Sequence, residues 1–571
     1  MDFEQLVQVY GQLEQTASGN QMREILSDFF KTVPKDDIAI VSYLTVGQIA
    51  SNYDEVVLGI ADKSVLKSIV QASGAETSKV QKLMQETGDA GLVAEKVLQK
   101  KPRTLVPVGK LTIRELFQTL HKIAGVSGTG SQEIKSNLLI SLLQKTAAAG
   151  AKYVIRIALG TLRMGVGDMT VLDALALAYT GDKKNKERLE HAYNICPDVG
   201  IIAETLAKQG LRGIEKISIH VGRPIQMMLC QRVEELEDIP EKMEGEFTVE
   251  AKYDGERVQA HKDKKGKITL FSRRLDTITA QFPDLVQHLE QNINAKEFVI
   301  EGEIIAIDKE GNHLPFQTLM QRRRKYDVEH YAQDIPVQLK VFEVLYLNGK
   351  SFLSEPYVQR TKQLAAIIHK SKHITLAEQI VTDDLTTLND FFQKMLKEGY
   401  EGVIVKSHIG EYQAGTRGWN WIKWKKDYVH DMTDTLDLVI VGAYHGKGKR
   451  SGVYGALLCA TYNDKDDRFE TLCKVGTGLT DEVLEELPRR LAKHKVEHKP
   501  ARVLAKREME PDVWFEPKLV VEVLGAEVTK SPFHTCGSGL GLRFPRFIRF
   551  RENKKPEQAT TSKEVERMGR K

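Results

Sequence analysis

The chain has 571 residues, of which 41% are hydrophobic, and its formal net charge at pH 7 is +4. This length predicts about three or four domains, and the apolar content excludes a disordered chain. The near balance of charge means that nucleic-acid binding has to be judged from local clusters. The five cysteines have no CxxC spacing, which argues against a zinc site or a disulfide framework and for a reducing compartment.

The beginning of the chain, MDFEQLVQVYGQLEQ, is polar and amphipathic and has no signal-peptide pattern. No apolar stretch reaches the roughly 18 residues that a membrane span needs. We therefore expect a soluble intracellular protein without a membrane partner.

The period of the hydrophobic residues divides the chain into three regions. Residues 1–235 place apolar residues three and four apart, as in FEQLVQVYGQLEQ and IRELFQTLHKIAG, which predicts helices. Residues 236–428 alternate with a period of two in GEFTVEAKYD and EFVIEGEIIAID, interrupted by helical stretches, which predicts a mixed α/β domain. Residues 429–571 contain short strands with glycine turns, among them a hairpin around the basic loop KGKRSG. This last pattern predicts an OB-fold β-barrel, followed by a basic tail that we expect to be frayed.

The stretch VEAKYDGERVQAH raises the question of catalysis. On a strand Glu250, Lys252 and Asp254 share one face, and a tight turn at Gly255 brings Arg257 back beside them. A lysine that is desolvated or held near cations has a lowered pKa and becomes a nucleophilic amine. For a lone K-x-D-G, a surface lysine in a solvated loop is the more common explanation.

Later motifs in the same region favour the catalytic interpretation. VIEGEII carries Glu303 and GYEGVIVK carries Glu401, and paired carboxylates beside phosphates are what Mg²⁺ uses. In WNWIKWKKD the alternation puts Lys423 and Lys425 on one face. Each motif has an ordinary structural alternative, such as a solvated glutamate or an amphipathic strand. Because the motifs occur in order within about 175 residues, the catalytic interpretation is favoured over the structural alternatives.

Two further residues extend the set. FSRRLD contributes Arg273, and KVFEVLY contributes Phe342, an aromatic side chain that either stacks on a base or belongs to the core.

Taken together, the motifs resemble those of the ATP-dependent DNA ligases of the covalent nucleotidyltransferase superfamily, as found in archaea and in the catalytic core of eukaryotic replicative ligases. KYDGER, SRR, EGE, FEVLYLNG, EGVIVK, WIKWKKDY and LRFPRFIRFRENK follow in the family's order, and GTLRMGVGD and GRPIQMML extend the similarity into the helical half. The resemblance implies a helical DNA-binding domain over 1–235, an adenylation domain over 236–428 and an OB-fold domain over 429–571.

The resemblance also implies roles for individual residues. Lys252 would attack the α-phosphate of ATP and hold AMP, Glu250 would accept a hydrogen bond from the adenine amino group, and Phe342 would stack on the base. Metal binding is implied for Glu303 and Glu401. The implied nucleotide-binding residues are Glu250, Lys252, Arg257, Arg273, Glu303, Phe342, Arg417, Lys423 and Lys425.

The expected reaction seals nicks between a 5′-phosphate and a 3′-hydroxyl in duplex DNA, through lysyl-AMP and a DNA-adenylate, in replication, repair and recombination. ATP and Mg²⁺ are the expected cofactors, with Mn²⁺ as an alternative. Phosphoryl-group chemistry depends mostly on positioning and charge stabilisation, so a lysine, a metal ion and a group of cations are suitable parts.

The last motif implies that Arg551 and Lys554 orient the leaving pyrophosphate. Here the chain departs from the family, which usually has Arg-x-Asp-Lys, because residue 553 is Asn553. We expect this loss of charge to slow lysine adenylation and to spare nick sealing.

DNA contacts are expected at several places. From Arg543 to the end there are ten Lys or Arg against four Glu. HGKGKRSG and RRRK (Arg322 to Lys325) are candidate phosphate contacts or ordinary solvated loops. In the helical half, GVSGTGSQEIK and LGTLRMGVGD place glycines and Ser or Thr before helices, as phosphate binders or as N-caps. The expected partner is nicked double-stranded DNA, bound by a monomer associated with the nucleoid.

A sliding clamp is a further candidate partner. Archaeal relatives often carry a clamp peptide where this chain reads VLQKKPRTLVPVG, but here no paired aromatics follow the glutamine. The sequence therefore shows no clear clamp peptide.

Several other functions fit the sequence less well. An RNA ligase or an RNA-capping guanylyltransferase belongs to the same superfamily, but Glu250 and the large helical domain favour ATP and duplex DNA. An NAD⁺-dependent ligase is disfavoured because there is no cysteine cluster for a zinc finger. No stretch matches G-x-x-x-x-G-K-[ST], which counts against a P-loop ATPase. A non-catalytic nucleic-acid-binding module would not need Lys252, Glu303 and Glu401 together.

Overall fold

The computed structural model describes residues 1–99, 110–233, 235–323, 332, 334–369, 371–425, 435–446, 453–525 and 527–569. The chain divides into two compact units, Met1–Lys425 and Lys426–Lys571. Most of the segment expected to show a clamp peptide, all of the basic loop KGKRSG, and Arg324 and Lys325 lie outside the described residues.

The first part of unit one is helical, as the apolar spacing predicts. Its helices are α1 Phe3–Glu14, α2 Gly19–Thr32, α3 Ile38–Thr45, α4 Asp62–Ser73, α5 Thr77–Thr87, α6 Ala90–Leu98, α7 Ile113–Gly125, α8 Ser131–Lys145, α9 Ala148–Ala158, α10 Asp168–Thr180, α11 Lys186–Ile195 and α12 Val199–Ile214. Apolar residues three and four apart make one buried stripe on each amphipathic helix, for example Phe3, Leu6, Tyr10 and Leu13 on α1. These stripes meet in one hydrophobic core.

The loop LGTLRMGVGD before α10 is held by an internal ion pair. Arg163 has a left-handed φ of +59°, and its guanidinium donates to Asp89 (3.2 Å) and to the Gly88 carbonyl (3.3 Å). Asp89 also caps α6 and accepts from Arg156 at 2.9 Å. The one arginine of this motif therefore has a structural partner.

The second part of unit one contains two sheets. The strands are β1 Leu229–Arg232, β2 Phe247–Lys252, β3 Glu256–Lys262, β4 Ile268–Ser272, β5 Phe298–Ala306, β6 Val337–Leu347, β7 Lys350–Ser351, β8 Ile374–Leu376, β9 Gln379–Thr382, β10 Gly402–Ser407 and β11 Arg417–Lys425. The helices between them are α13 Asp238–Lys242, α14 Pro283–Asn292, α15 Phe316–Leu319, α16 Tyr357–Ile367 and α17 Leu385–Lys397. One sheet has the order β1-β11-β10-β2-β9, and the other has β4-β3-β5-β6-β7 with β8 beside β6.

Strand β1 lies before residue 235, where the sequence predicts the domain boundary, yet it pairs in parallel with β11 of the first of these sheets. Its residues therefore contribute to the fold of the mixed α/β region. The boundary itself stays a prediction.

Unit two is β-rich, and its curled sheet fits the predicted OB fold. Its elements are β12 Leu436–His445, β13 Tyr454–Asn463, β14 Arg468–Val475, α18 Asp481–Ala492, β15 Lys495–Val496, β16 Val503–Leu504, β17 Val513–Phe515, β18 Val520–Leu524, β19 Glu527–Lys530, β20 Leu540–Arg543, β21 Arg546–Phe550 and α19 Ser562–Met568. Eight strands form one sheet, in which β12 and β13 make the predicted antiparallel hairpin.

The prediction of a frayed tail was wrong. Residues Ser562–Met568 form α19, which begins with a capping box: the Thr561 hydroxyl accepts from the Glu564 amide (3.2 Å), and the Glu564 carboxylate accepts from the Thr561 amide (2.7 Å). Val565 is fully buried. The missed signal is T-x-x-E, which satisfies two donors at a helix start.

Within the described residues, no helix is both long and apolar enough to cross a membrane.

Candidate active site

A cavity of about 680 Å³ in unit one is lined by strands of both sheets. Every site residue that the sequence predicts in this unit lies on its wall: Glu250, Lys252, Arg257, Arg273, Glu303, Phe342, Glu401, Arg417, Lys423 and Lys425. Residues from seven different strands and their ends thus meet in one place, although they are spread over 176 positions of the chain.

The turn after β2 brings Lys252 to the cavity. Val249 and Ala251 on β2 are buried, and Lys252 is the last residue of the strand. The next turn packs closely on β5, since a Cβ added at Gly255 would lie 2.3 Å from the Ile304 carbonyl oxygen. Glycine is required here by this close approach of backbones rather than by a positive φ.

Two lysines share the carboxylate of Glu401. Gly402, the first residue of β10, is the register partner of Lys252 on β2 and of Lys425 on β11. Glu401 precedes it and therefore lies between the two ammonium groups. Lys252 Nζ pairs with Glu401 Oε2, and Lys425 Nζ lies 3.0 Å from the same oxygen.

The pKa of Lys252 differs from the expectation. Burial acts to lower the pKa of this ammonium, but the carboxylates of Glu401 and Glu303 outweigh burial and raise it above its ordinary value. Desolvation and neighbouring cations alone would lower the pKa of Lys252, as expected from the sequence, but the carboxylate with which it pairs reverses the direction. The lysine whose pKa is lowered is Lys423, through burial first and then through Lys425 and other nearby cations.

Glu303 and Glu401 form a carboxylate pair that suits a divalent cation. Burial raises the pKa of Glu303 to about 7, and the charge of Glu401 adds to this effect. No group of three or more His, Cys, Asp or Glu with metal-ligand geometry occurs in the described parts of the chain. Mg²⁺ commonly binds through one or two carboxylates plus substrate oxygens, so two carboxylates beside the lysines fit it.

The cations on β11 alternate as predicted. Lys423 and Lys425 line the cavity, whereas Ile422 and Trp424 are buried on the other side. Arg417, at the start of the strand, is exposed and shares the cavity wall. The strand therefore presents positive charge to whatever occupies the cavity.

Arg257 is held by partners of its own. Its guanidinium donates to Glu301 Oε2 (2.7 Å) and to the Met228 carbonyl (2.7 Å), and it lies over the Phe342 and Trp421 rings at 5.5 and 5.3 Å. Arg273, in contrast, is exposed at the rim. Arg257 is thus fixed in place, and Arg273 is accessible to solvent.

At another part of the wall, Glu250 is only 2% exposed and is bonded to two residues that sequence reasoning did not connect with it. The Tyr357 hydroxyl donates to Oε1, and Lys406 Nζ lies 2.6 Å from Oε2. Lys406 is the last residue of GYEGVIVK, where it follows an apolar run, and Tyr357 lies in no motif that could have identified it.

Two predicted cations lie in unit two. Arg551 pairs with Glu522 (3.0 Å) on β18, and Lys554 pairs with Asp437 on β12. Hydrogen bonds from Thr435 and Arg549 lower the pKa of Glu522 to about 2, with Arg551 contributing. Asn553 lies exposed between them.

The interpretation of Arg322 as a phosphate contact was wrong. It is 1% exposed, and its guanidinium donates to Asp284 on α14 and to the Ile335 carbonyl (3.2 Å). One arginine of the run RRRK is therefore buried and structural. The number of charges in the run does not indicate this.

Comparisons with known proteins extend over nearly the whole chain. Three family models match: "DNA ligase N terminus" over residues 2–176, "ATP dependent DNA ligase domain" over 227–425 and "ATP dependent DNA ligase C terminal region" over 450–554. The chain is 46% identical over 580 residues to DNA ligase 2 of Thermofilum pendens, which covers 98% of this chain and 96% of that protein. It is 42% identical over 579 residues to DNA ligase 1 of Methanosarcina mazei, which covers 99% of both.

A solved structure described as "Pmar-Lig_Pre." has a similar fold, with a TM-score of 0.56 and 17% identity over 96% of this chain and 99% of that one. The helical region, the two-sheet region and the β-rich unit match, in this order, the three family models of an ATP-dependent nucleotidyltransferase. Within that class, the chain belongs to the ATP-dependent DNA ligases.

Proposed function

We propose that this protein seals nicks in duplex DNA, joining a 5′-phosphate to a 3′-hydroxyl through a covalent lysyl-AMP and a DNA-adenylate, as part of replication, repair and recombination. The observation that carries the proposal is the position of Lys252, whose ammonium lies against Glu401 in a cavity that also holds Glu303 and Lys425. A binding module has no need of such a lysine.

In the first step the neutral amine of Lys252 attacks the α-phosphorus of ATP. A P–N bond forms, the bond to the β-phosphate oxygen breaks, and pyrophosphate leaves. Lys252 gives up its ammonium proton before the attack, and Glu401 Oε2, the oxygen with which it pairs, is placed to accept this proton. Lys423 and Lys425, with Arg417, balance the negative charge that develops on the α-phosphate.

Mg²⁺ fits this step, since Glu303 and Glu401 would hold it and it would neutralise charge on the phosphate oxygens. Glu250 accepts from the 6-amino group of adenine, and Phe342 stacks on the ring. Arg257 and Arg273 hold ribose and phosphate, and Arg551 and Lys554 orient the pyrophosphate.

In the later steps the AMP group passes from Lys252 to the 5′-phosphate of the nick, which restores the amine. The 3′-hydroxyl then attacks that phosphate, and AMP leaves as the phosphodiester forms.

The test is to mix the protein with Mg²⁺ and ATP labelled at the α-phosphate, after mass spectrometry has shown the protein to be free of AMP. We expect a label that survives denaturation, that is absent in Lys252→Ala, and that moves to the 5′-phosphate of added nicked DNA. Lys265→Ala, which changes an exposed lysine in the turn after β3, is the matched control and should label normally. Label from GTP instead of ATP, or label in Lys252→Ala, would contradict the proposal.

A further inference from the structure

One carboxylate in the cavity wall, that of Glu250, is held in place by two buried side chains. Glu250 is 2% exposed; its Oε1 accepts a hydrogen bond from the Tyr357 hydroxyl, and its Oε2 forms an ion pair with the Lys406 ammonium at 2.6 Å. Tyr357 and Lys406 are 1% and 0% exposed. Lys406 reaches the cavity wall, whereas Tyr357 does not.

Both donors are themselves held in place. Lys406 Nζ lies 4.3 Å from the centroid of the Trp421 ring and 4.7 Å from that of Phe342, and it also donates to the Phe342 carbonyl at 3.3 Å. Contacts with ring faces stabilise a buried ammonium. This cation therefore remains next to Glu250 in spite of its burial.

Tyr357 is the first residue of α16, and that helix is fixed one turn further along. Arg360 is fully buried and pairs with Glu343 (2.9 Å), and it also donates to the Gly410 carbonyl (2.9 Å). A displacement of Tyr357 would break this buried pair, which is costly. The phenol is therefore preorganised toward Glu250.

Tyr357 and Lys406 determine whether Glu250 can accept or donate a hydrogen bond. An ionised carboxylate only accepts hydrogen bonds, whereas a protonated one can also donate. A purine with a 6-amino group offers a donor to this carboxylate, and a 6-oxo purine offers an acceptor. A buried acceptor left facing another acceptor loses its hydrogen bond, which discriminates strongly against the wrong ligand.

We propose that Tyr357 and Lys406 are positioning residues that hold Glu250 as an acceptor, and that they thereby make the site select 6-amino purine nucleotides over 6-oxo purine nucleotides. This inference rests on the proposed function, because it concerns the nucleotide that adenylates Lys252. Tyr357 acts without touching the nucleotide.

The experiment compares ATP with ITP, which replaces the 6-amino group by a 6-oxo group without adding the 2-amino group of guanine. The ratio of kcat/KM for lysine labelling with the two nucleotides is measured in the full-length wild type and in Tyr357→Phe. We expect the ATP-to-ITP ratio to fall about tenfold in Tyr357→Phe, as for the loss of one hydrogen bond to a charged group. The change should appear mainly in KM for ATP.

The chain offers a matched control. Tyr346→Phe also removes a phenol that donates to a glutamate, Glu297 at 3.1 Å, and neither residue lines the cavity. Its ATP-to-ITP ratio should equal that of the wild type. In Glu250→Gln, adding Tyr357→Phe should change the ratio no further, since the amide no longer depends on the phenol.

The outcomes separate the two proposals. If the wild type takes no label from ATP, the proposed function fails. The positioning role is overturned if the wild type labels normally and Tyr357→Phe keeps the wild-type ATP-to-ITP ratio. The same holds if kcat/KM falls by the same factor for ATP and for ITP, since the ratio is then unchanged. If Tyr357→Phe does not fold, Lys406→Gln replaces it, and an unchanged ratio in that variant would overturn the inference.

Discussion

At the reacting residue, burial and charge act in opposite directions. Burial alone would lower the pKa of Lys252, but the paired carboxylate of Glu401 and the nearby Glu303 raise it. Because the neutral amine is the nucleophile, the raised pKa keeps most of Lys252 protonated at neutral pH. A cation that bound Glu303 and Glu401 would weaken this effect, so metal binding there would be coupled to the release of a proton.

This difference between lysines predicts an order of titration in the metal-free protein. With rising pH, Lys423 should react with an amine-acylating reagent before Lys252, because its pKa is lowered and that of Lys252 is raised. Peptide mass spectrometry after brief labelling at a series of pH values, with a chelator present, measures both midpoints.

The variant Glu401→Gln serves as the control for this experiment. It removes the largest contribution that raises the Lys252 pKa, so the Lys252 midpoint should move to lower pH. If Lys252 reacts first in the unaltered protein, or does not move in Glu401→Gln, the assigned cause is wrong.

At the scale of elements, the site depends on two close contacts between strands. Gly402 lies between β2 and β11 and brings Lys252 and Lys425 to the same carboxylate. Gly255 lets the turn after β2 lie against β5, where a Cβ would approach the Ile304 carbonyl to 2.3 Å. Both glycines allow chain segments to approach where a side chain would separate them.

Gly255→Ala should therefore lower the rate of lysine labelling at least about tenfold. Displacing a reacting group by about 1 Å lowers the reaction rate by that factor or more. It should also lower the thermal midpoint of unfolding. Gly11→Ala is the control: nothing lies within 4 Å of its added Cβ on α1, and alanine favours a helix by about 0.5–1 kcal/mol over glycine. If Gly255→Ala and the wild type were labelled equally, the close contact between this turn and β5 would not be required for lysine adenylation.

Sequence alone predicted the elements on which the site is built and ten of the residues that line it. Alternation contributed to this, because it fixes which residues share a face of a strand. Lys423 and Lys425 illustrate this, as does Lys252. It could not predict the bond between Tyr357 and Glu250, which are 107 positions apart in the chain. Nor could it show that Arg322 is buried, or that a carboxylate reverses the pKa shift of Lys252, since both depend on which elements pack together.

At the scale of the whole molecule, the residues to which roles are proposed lie in both compact units. The lysine, the carboxylates and the β11 cations lie in Met1–Lys425, whereas the residues proposed to orient pyrophosphate lie in Lys426–Lys571. Arg551 and Lys554 have carboxylate partners in Glu522 and Asp437. These partners supply negative charge beside both cations although residue 553 is an asparagine.

Arg551→Ala should lower lysine labelling by about tenfold or more, as for one lost interaction with a developing charge, whereas sealing of a nick that already carries AMP should change little. The measurement compares the two steps separately, with labelled ATP and with synthetic DNA-adenylate. Arg502→Ala, which removes an arginine paired with Asp467 and Glu557 on the surface of the same unit, should affect neither step. An equal loss in both steps would assign Arg551 to another role.

In the same pair of assays Asn553→Asp tests the departure from the family motif. We expect faster labelling and unchanged sealing, with a gain of less than about tenfold because Arg551 and Lys554 already have carboxylate partners. No gain would mean that Asn553 does not limit adenylation.

The pairing of β1 with β11 has a practical consequence for dissecting the protein. Strand Leu229–Arg232 is the outer strand of its sheet, and it covers β11, which carries Lys423 and Lys425. An expression fragment that began at residue 236 would leave the backbone amides and carbonyls of β11 as an open sheet edge, which promotes aggregation. A fragment intended to isolate adenylation chemistry should therefore begin upstream of Leu229.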